Sequence, residues 1–249
     1  MAKCIVCGNK SIGPTVSIIS DDLAKSWKLS KYQRYQFNLR ESRFCSICGS
    51  STRIRFLATA IMRRFRFKDV DSFKRWTQKA DEHELKIAEI NSCGSLHTYL
   101  KELPNLKYSE FTTKNNIIKL IRKIRGTPYE DIQALTYKND SFDLVIHTEV
   151  LEHIPNPSKA LKECRRILKK NGSCIFSIPI IMNRRTVQRM AVKNNQTIGL
   201  KSPSYHGTAK REDYIVWWEF GRDFFVKEKL TLLQSDPPSH SYIFETKKP

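Results

Sequence analysis

The segment at residues 141–181 constrains the fold of this 249-residue chain more than any other. It opens with an apolar run at residues 142–146, which is followed at once by polar residues. A helical pattern with one apolar and one basic face comes next, and Asn171-Gly172 is expected to end that helix. A second apolar run covers residues 174–178. This order predicts a strand, a crossover helix and a second strand parallel to the first.

Polar residues gather where the first of these strands ends, at positions 147–153. In an open parallel sheet, ligands bind at the carboxyl ends of the strands. We therefore expect a functional site around this stretch, which contains His147 and His153.

The composition fits a folded protein with reduced thiols. Apolar residues make up 40% of the chain and aromatic residues 10%, which is enough for a packed core. No apolar run approaches the roughly 18 residues that a membrane span needs, and Cys4 and Cys7 interrupt any signal-peptide core. An odd number of cysteines in an unsecreted chain argues against a disulfide framework. We expect a soluble cytoplasmic protein.

The net charge of +19 is concentrated in two basic runs, at residues 53–79 and 114–125. Such runs attract polyanions, whether nucleic acid, an acidic glycan or a membrane surface. A solvated basic face is the alternative interpretation, and charge alone does not identify a partner.

Two Cys-x-x-Cys-Gly motifs lie near the N-terminus. Cys4 and Cys7 form the first pair and Cys45 and Cys48 the second. Two thiolates at this spacing can bind one metal ion, and two such turns complete the closed Cys4 site that is typical of structural zinc. Redox thiols or a chance spacing are the alternatives. The loop between the two motifs is expected to contain a helix near residues 21–39.

A short strand at residues 86–90 is followed by a turn that contains Gly94, and then by a helical run. This order can place a ligand against the start of the helix, although a lone glycine is weak evidence for a cofactor loop. Glu110 follows about 20 residues after the turn, where an acid meets the ribose hydroxyls of an adenosine cofactor. An ordinary exposed Glu at a strand end is the alternative.

The other predicted elements complete an α/β chain. Helices are expected at residues 52–67, 115–125 and 222–230, strands at 106–111, 232–234 and 241–246, the last one antiparallel in a hairpin, and a polar connection at 69–81.

The stretch at residues 131–181 resembles class I S-adenosylmethionine-dependent methyltransferases. The likeness rests on Asp131 and the following residues, on Glu149-Val-Leu-Glu-His153-Ile-Pro, and on the helix and strand after them. More narrowly, the whole chain is similar to a bacterial group of these enzymes with an N-terminal Cys4 module. The narrower likeness is carried by Trp27-Lys-Leu-Ser30, Arg40-Glu41, Ala88-Glu-Ile-Asn91, Ser202-Pro-Ser-Tyr-His-Gly207 and Glu219-Phe-Gly-Arg222.

The resemblance implies a Rossmann-like α/β fold, with a seven-stranded methyltransferase sheet at residues 81–249 and a small zinc-binding helical module at residues 1–80. It also implies S-adenosylmethionine as cofactor. Asn91 stands where the superfamily's loop carries its first glycine. The implied cofactor contacts are Glu89, Asn91 and Gly94 near the methionine moiety, Glu110 on the ribose, Asp131 and the Ile132 amide on the adenine, and His147 and Thr148 near the sulfonium.

An acceptor hydroxyl would need a base to remove its proton, and histidine is the usual one. The candidates are His206, on a loop after the fifth predicted strand, His147 and His153. For His153 the alternative is a packing role in which it caps the crossover helix.

The sequence thus predicts a methyltransferase for a small-molecule or glycan acceptor, such as a cell-envelope precursor. Methylation of ribosomal or transfer RNA, with the basic runs as the binding surface, is the first alternative. A catalytically inactive module that only binds the cofactor is the second.

Overall fold

The computed structural model describes residues 3–68, 85–111, 124, 129–206 and 214–248. The predicted connection at residues 69–81 and nearly all of the predicted basic helix at residues 115–125 lie outside these described residues.

Three helices precede the first strand of the described chain, and six successive strands follow the crossover helix. The helices are α1 (Asp21–Ser26), α2 (Lys31–Ser42), α3 (Thr52–Arg64), α4 (His97–Leu100), α5 (Pro157–Ile167) and α6 (Arg222–Lys227), with 3-10 turns at Gly94–Leu96, Leu151–His153 and Pro237–Ser239. The strands are β1 (Ile87–Ile90), β2 (Leu106–Ser109), β3 (Phe142–Thr148), β4 (Leu168–Ser177), β5 (Ile180–Ile181), β6 (Val187–Gln188), β7 (Met190–Lys193), β8 (Gln196–Gly199), β9 (Trp218–Gly221), β10 (Thr231–Asp236) and β11 (Ser241–Lys247).

The main sheet has the strand order β10-β11-β4-β3-β1-β2. Strands β1 to β4 are mutually parallel, β11 is antiparallel to β4, and β10 is antiparallel to β11. The parallel pairing of β3 with β4 across α5 confirms the strand–helix–strand unit predicted at residues 141–181. The antiparallel final hairpin is confirmed as well. This is a Rossmann-like α/β arrangement.

The predicted count of seven strands is not confirmed, because the described part of the chain supplies six strands to this sheet. A single parallel bridge between Glu110 and Tyr129 continues the sheet beyond β2.

Local signals explain the limits of α5. Asn156 accepts a hydrogen bond from the amide of Lys159 at 2.9 Å, and Pro157 occupies the first turn, where its missing N–H costs nothing. The expectation that Asn171-Gly172 ends this helix is wrong, because α5 ends at Ile167 and Asn171-Gly172 lies inside β4. A Cβ on Gly172 would come within 3.0 Å of the carbonyl oxygen of Phe142, so the close approach of β3 explains the glycine.

The single helix predicted near residues 21–39 is two helices. Lys28 adopts a φ of 48° between them, which a continuous helix does not allow. The second helix starts at Lys31, and Ser30 is its N-cap. The Ser30 side chain accepts from the amide of Gln33, while the Gln33 side chain accepts from the amide of Ser30. This capping box fixes the start of α2.

Both faces of the sheet are covered. Helix α5 packs on one face, where Leu161 and Ile167 join the cluster around Val145 and Phe176. Helix α3 covers the other face, where its Leu57 and Ile61 pack with Ile175 and Ile243. The N-terminal segment therefore supplies one layer of the sandwich, although the predicted division at residue 80 falls outside the described residues and stays a prediction.

Two small sheets follow β4. Strand β9 pairs with β5 and β6, while β7 and β8 form a hairpin whose turn residues Asn194 and Asn195 have φ of 50° and 58°. Such positive φ values are typical of tight hairpin turns. None of the described helices is long and apolar enough to cross a membrane.

Candidate functional site

The four predicted metal ligands come together in space. The sulfurs of Cys4 and Cys48 are 3.7 Å apart, and those of Cys7 and Cys45 are 3.6 Å apart. Sulfurs at the corners of a tetrahedron around zinc, each at about 2.3 Å from the ion, are about 3.8 Å apart. Gly8 and Gly49 close the two turns with φ of 82° and 72°. The four cysteines thus form a cluster that could hold a metal ion.

Glu89, in β1, stabilises the turn that follows this strand through hydrogen bonds of its side chain. Its fully buried carboxylate accepts from the amide of Cys93 at 2.7 Å and contacts His97 Nδ1 at 2.6 Å. Asn91 and Gly94 have φ of 58° and 61°, in the left-handed region, and both therefore turn the chain sharply between β1 and the following helix. In this structure Glu89 contacts the loop itself, and its predicted contact with the cofactor stays a prediction.

Two acidic residues, Glu110 and Asp131, lie beyond the carboxyl end of β2, at the same end of the sheet as the loop after β1. Glu110 lies one residue after β2, accepts a hydrogen bond from the Tyr108 hydroxyl and pairs with Tyr129. Asp131 comes two residues beyond that pair and is half-buried, and the neighbouring Ile132 is buried. Carboxylates only accept hydrogen bonds, so they suit the hydroxyl donors of a ribose and the amino donor of an adenine.

The segment that carries Asp131 is clamped to α5. Arg166 donates to the carbonyl oxygens of Leu135 and Tyr137 at 2.8 Å each. Glu163 accepts from Arg166 and from the amide of Leu135, and hydrogen bonding to Arg166 lowers the pKa of the Glu163 carboxyl. The crossover helix therefore fixes the predicted adenine side of the site.

The ends of β3 and β4 are covered by the N-terminal segment. Arg40 of α2 is almost fully buried, and its guanidinium makes two hydrogen bonds to Glu149, at 3.0 and 2.5 Å. Ser177 links the Glu149 carboxylate, at 3.0 Å, to the hydroxyl of Thr148, at 2.6 Å. Arg53 of α3 also donates to Thr148 and forms an ion pair with Glu41. A continuous polar network thus joins the module to the sheet edge.

Thr148, predicted to lie near the sulfonium, is a member of this network. Its hydroxyl contacts arginine and serine in the structure, and its predicted role toward the cofactor stays a prediction.

His147 lies in the core. Its ring stacks on Phe176 with centroids 4.7 Å apart, close to the thiols of Cys164 and Cys174, and none of these residues is exposed. Neither ring nitrogen has a hydrogen-bond partner among the described residues. An imidazole without exposed surface does not reach an acceptor in this conformation, so the placement weighs against His147 as a base and as a residue near the sulfonium.

His153 and His206, by contrast, converge on one carboxylate, and with Glu152 they form what we call the Glu–His–His cluster. Glu152 Oε1 is 3.7 Å from His153 Nε2 and 3.6 Å from His206 Nδ1. His206 is held by pairing of its strand segment with Ile215 and Tyr214, and its ring lies 5.4 Å from Trp27. The N-terminal segment therefore contacts this cluster too.

Several of these residues were not predicted from the sequence. Glu152 stands next to the predicted His153 in the Glu-His-Ile-Pro motif, and that adjacency was an available signal. Arg53 carries no such signal, since its partner Thr148 is 95 residues away. Arg40 was part of a quoted motif, but its contact with Glu149 spans 109 residues.

Comparison with known proteins supports a methyltransferase domain. Residues 94–176, about a third of the chain, match the family model described as "Methyltransferase domain". The matched segment contains the loop glycine, Glu110, Asp131 and the β3–α5–β4 unit.

Similar curated proteins share only a segment with this chain. A ubiquinone biosynthesis O-methyltransferase of Coxiella burnetii is 38% identical over 48 residues, which cover 19% of this chain and 20% of the relative. An uncharacterized protein of Methanocaldococcus jannaschii is 34% identical over 80 residues, 32% of this chain and 34% of the relative. The chain thus spans between a fifth and a third of the length of these relatives.

Among solved structures, an S-adenosylmethionine-dependent methyltransferase from Mesorhizobium loti is similar at 13% identity and a TM-score of 0.37. The match covers 65% of this chain and 90% of that chain.

Proposed function

We propose that this chain is an S-adenosylmethionine-dependent methyltransferase that acts on a small-molecule or glycan acceptor. The observation that carries the proposal is the convergence of three features on one sheet edge: the bent loop at Asn91 and Gly94, the acid Glu110, and Asp131. The matched methyltransferase domain begins at Gly94 and contains both acids. Ligands of open parallel sheets bind at this edge.

In this proposal the residues divide into a cofactor side and an acceptor side. Glu110 and Asp131 would accept hydrogen bonds from the adenosine, next to the buried Ile132, while the loop after β1 would meet the methionine moiety. The bound cofactor supplies a methyl group on a sulfonium, whose transfer depends chiefly on alignment of the acceptor. The Glu–His–His cluster would face the acceptor, where His206 can take up a proton through Nε2, the ring nitrogen that is not paired with Glu152.

The known proteins that the chain resembles lend limited support to a small-molecule acceptor. The Coxiella burnetii relative is named for a step of ubiquinone biosynthesis, but its match is confined to 48 residues. The finer suggestion of a glycan or cell-envelope precursor rests on the resemblance of the sequence alone.

RNA methylation is the alternative, and one cavity favours it. An open cavity of about 660 Å³ is lined by Arg185, Arg222 and Lys227, with Asp223 as its one acidic lining residue. Arg184 also lines it, but its guanidinium donates to the carbonyl oxygens of Trp27 and Lys28. The basic run that begins at residue 53 offers less support, because the guanidinium groups of three arginines on α3 are already bound within the protein. Arg53 pairs with Glu41, Arg55 donates to the carbonyl of Ser50, and Arg64 pairs with Glu245.

We also propose that the Cys4 site holds structural zinc. Four cysteine ligands around one zinc ion would leave no open coordination position, so the ion would stabilise the module without taking part in chemistry. The site packs in the same core cluster as Ile54 and Leu57 of α3, so its loss would propagate to the sheet.

The decisive test for the reaction is incubation of the pure protein and isotopically labelled S-adenosylmethionine with two extracts from cells lacking it, one of small metabolites and one of total RNA. Label in a metabolite, with a mass gain of one CH2 group, supports the leading proposal. Label confined to RNA favours the alternative. Label in neither extract, with intact cofactor binding, supports an inactive cofactor-binding module.

A further inference from the structure

We propose that the Glu–His–His cluster is a second metal site, separate from the Cys4 site, and that it binds a divalent transition-metal ion. Its ligands are Glu152 Oε1, His153 Nε2 and His206 Nδ1.

The distances from the Glu152 carboxylate to the two imidazoles are too long for direct hydrogen bonds and closer to those between two ligands of one metal ion. The two nitrogens lie 3.7 and 3.6 Å from the same carboxylate oxygen. Hydrogen bonds of this type are typically about 2.7–3.2 Å long. Two donors bound to one ion at about 2.1 Å are about 3.0–3.5 Å apart for angles of 90–110°. A small inward movement of each side chain would therefore complete the coordination.

The orientation of His153 supports the same conclusion. Its Nδ1 is 2.9 Å from the carbonyl oxygen of Ile215, and a carbonyl only accepts. Nδ1 therefore carries the proton, and the lone pair of the neutral ring is on Nε2, the atom that points to Glu152. Metal-binding histidines are usually held in this way, by a backbone carbonyl on the nitrogen that does not bind the ion.

The state of Glu152 is the third argument. Its side chain has no exposed surface, and neither carboxylate oxygen has a hydrogen-bond partner among the described residues. A buried carboxylate without hydrogen bonds is costly, and buried charges are normally paired or bound to a metal. The two imidazoles lie within ion-pair distance of Glu152, but at 3.6 and 3.7 Å neither makes a hydrogen bond to it. A metal ion bound by Glu152 and the two imidazoles would neutralise the buried carboxylate.

The donor set indicates the class of ion. Two imidazoles and one carboxylate suit Zn²⁺, Fe²⁺, Co²⁺ or Mn²⁺, whereas Mg²⁺ and Ca²⁺ prefer sites built from oxygen alone. Three protein ligands leave at least one coordination position open. Since the His206 side chain is 23% exposed, that position would be open to an oxygen atom of water or, if the proposed function holds, of the acceptor.

The test is a Co²⁺ titration of the full-length protein after one equivalent of Zn²⁺ has filled the Cys4 site. We expect a second equivalent to bind, with weak visible bands and without the intense near-ultraviolet absorption of Co²⁺–thiolate bonds. Glu152→Gln and His206→Ala should each weaken this binding at least tenfold. Glu102→Gln, at an exposed position, should leave it unchanged.

Absence of a second equivalent in the wild-type protein would overturn the proposal, as would unchanged affinity in the His206→Ala variant. That variant alters a partly exposed side chain, and retention of the first Zn²⁺ equivalent would show that it is folded. Binding of S-adenosylmethionine, measured on the same samples, separates this proposal from the proposed function, since neither result depends on the other.

Discussion

The ion pair between Arg40 and Glu149 should hold the N-terminal module on the sheet edge, and replacing Arg40 with Met tests this. Arg40 is 1% exposed, makes two hydrogen bonds to Glu149, and lies 2.9 Å from Glu41. Methionine keeps much of the volume but none of the charge. The variant therefore leaves the Glu149 carboxylate largely buried without its cation.

Removing one partner of a buried ion pair costs about 3–5 kcal/mol. The side chain of Glu149 is 17% exposed, so the lower half of that range is the better expectation. For a protein of this size each kcal/mol changes the melting temperature by about 2–4 °C. We therefore expect Arg40→Met to lose roughly 3–4 kcal/mol of unfolding free energy and about 6–16 °C of melting temperature.

Urea denaturation followed by circular dichroism and by tryptophan fluorescence measures this change. Arg43→Met is the matched control, because Arg43 is an exposed arginine directly after α2 and should change stability by no more than about 0.5 kcal/mol. The double variant Arg40→Met/Glu149→Met should lose less than the sum of the single losses. If Arg40→Met is no more destabilising than Arg43→Met, the module is not held by this pair.

Three further changes test other parts of the structure. Cys45→Ser should abolish stoichiometric zinc in elemental analysis and lower the melting temperature; full zinc content in this variant would contradict the Cys4 assignment. Ile61→Ala, in the core between α3 and the sheet, should cost about 2–5 kcal/mol in urea denaturation, and a loss below 1 kcal/mol would show that α3 is not a layer of the core. Glu163→Gln should cost about 1–2 kcal/mol at neutral pH. Because Arg166 lowers the pKa of Glu163 in the folded state, this stabilisation is present above the ordinary value of 4.5 and is lost as the pH falls below it. The unfolding free energies of wild type and variant should therefore converge in acid, and a constant difference down to pH 3 would contradict this explanation.

The β3–α5–β4 unit was predictable because its signals are local. Apolar runs, a helical period and the Asn156-Pro157 cap all lie within a few residues of the structure that they determine. The same is true of the Cys-x-x-Cys-Gly turns. The break between α1 and α2 also has a local signal, since Ser30 and Gln33 have the spacing of a capping box.

The contacts around the site were beyond prediction for a physical reason. Arg40 meets Glu149 and Arg53 meets Thr148 only after the chain has folded back across about a hundred residues. A single sequence shows each of these residues as an ordinary polar side chain. For His147 the strand-end position predicts chemistry, whereas in the structure its ring stacks on Phe176 in the core.

The central claim is that the edge formed by the ends of β1, β2 and β3 binds S-adenosylmethionine. Isothermal titration calorimetry of the full-length protein tests it most directly, with Asp131→Ala and Glu110→Ala as site variants and Glu102→Gln as the exposed control. The account predicts one saturable site per chain, weakened at least tenfold by each site variant and unchanged in the control. No binding by the wild-type protein, or equal binding by all four proteins, would contradict it.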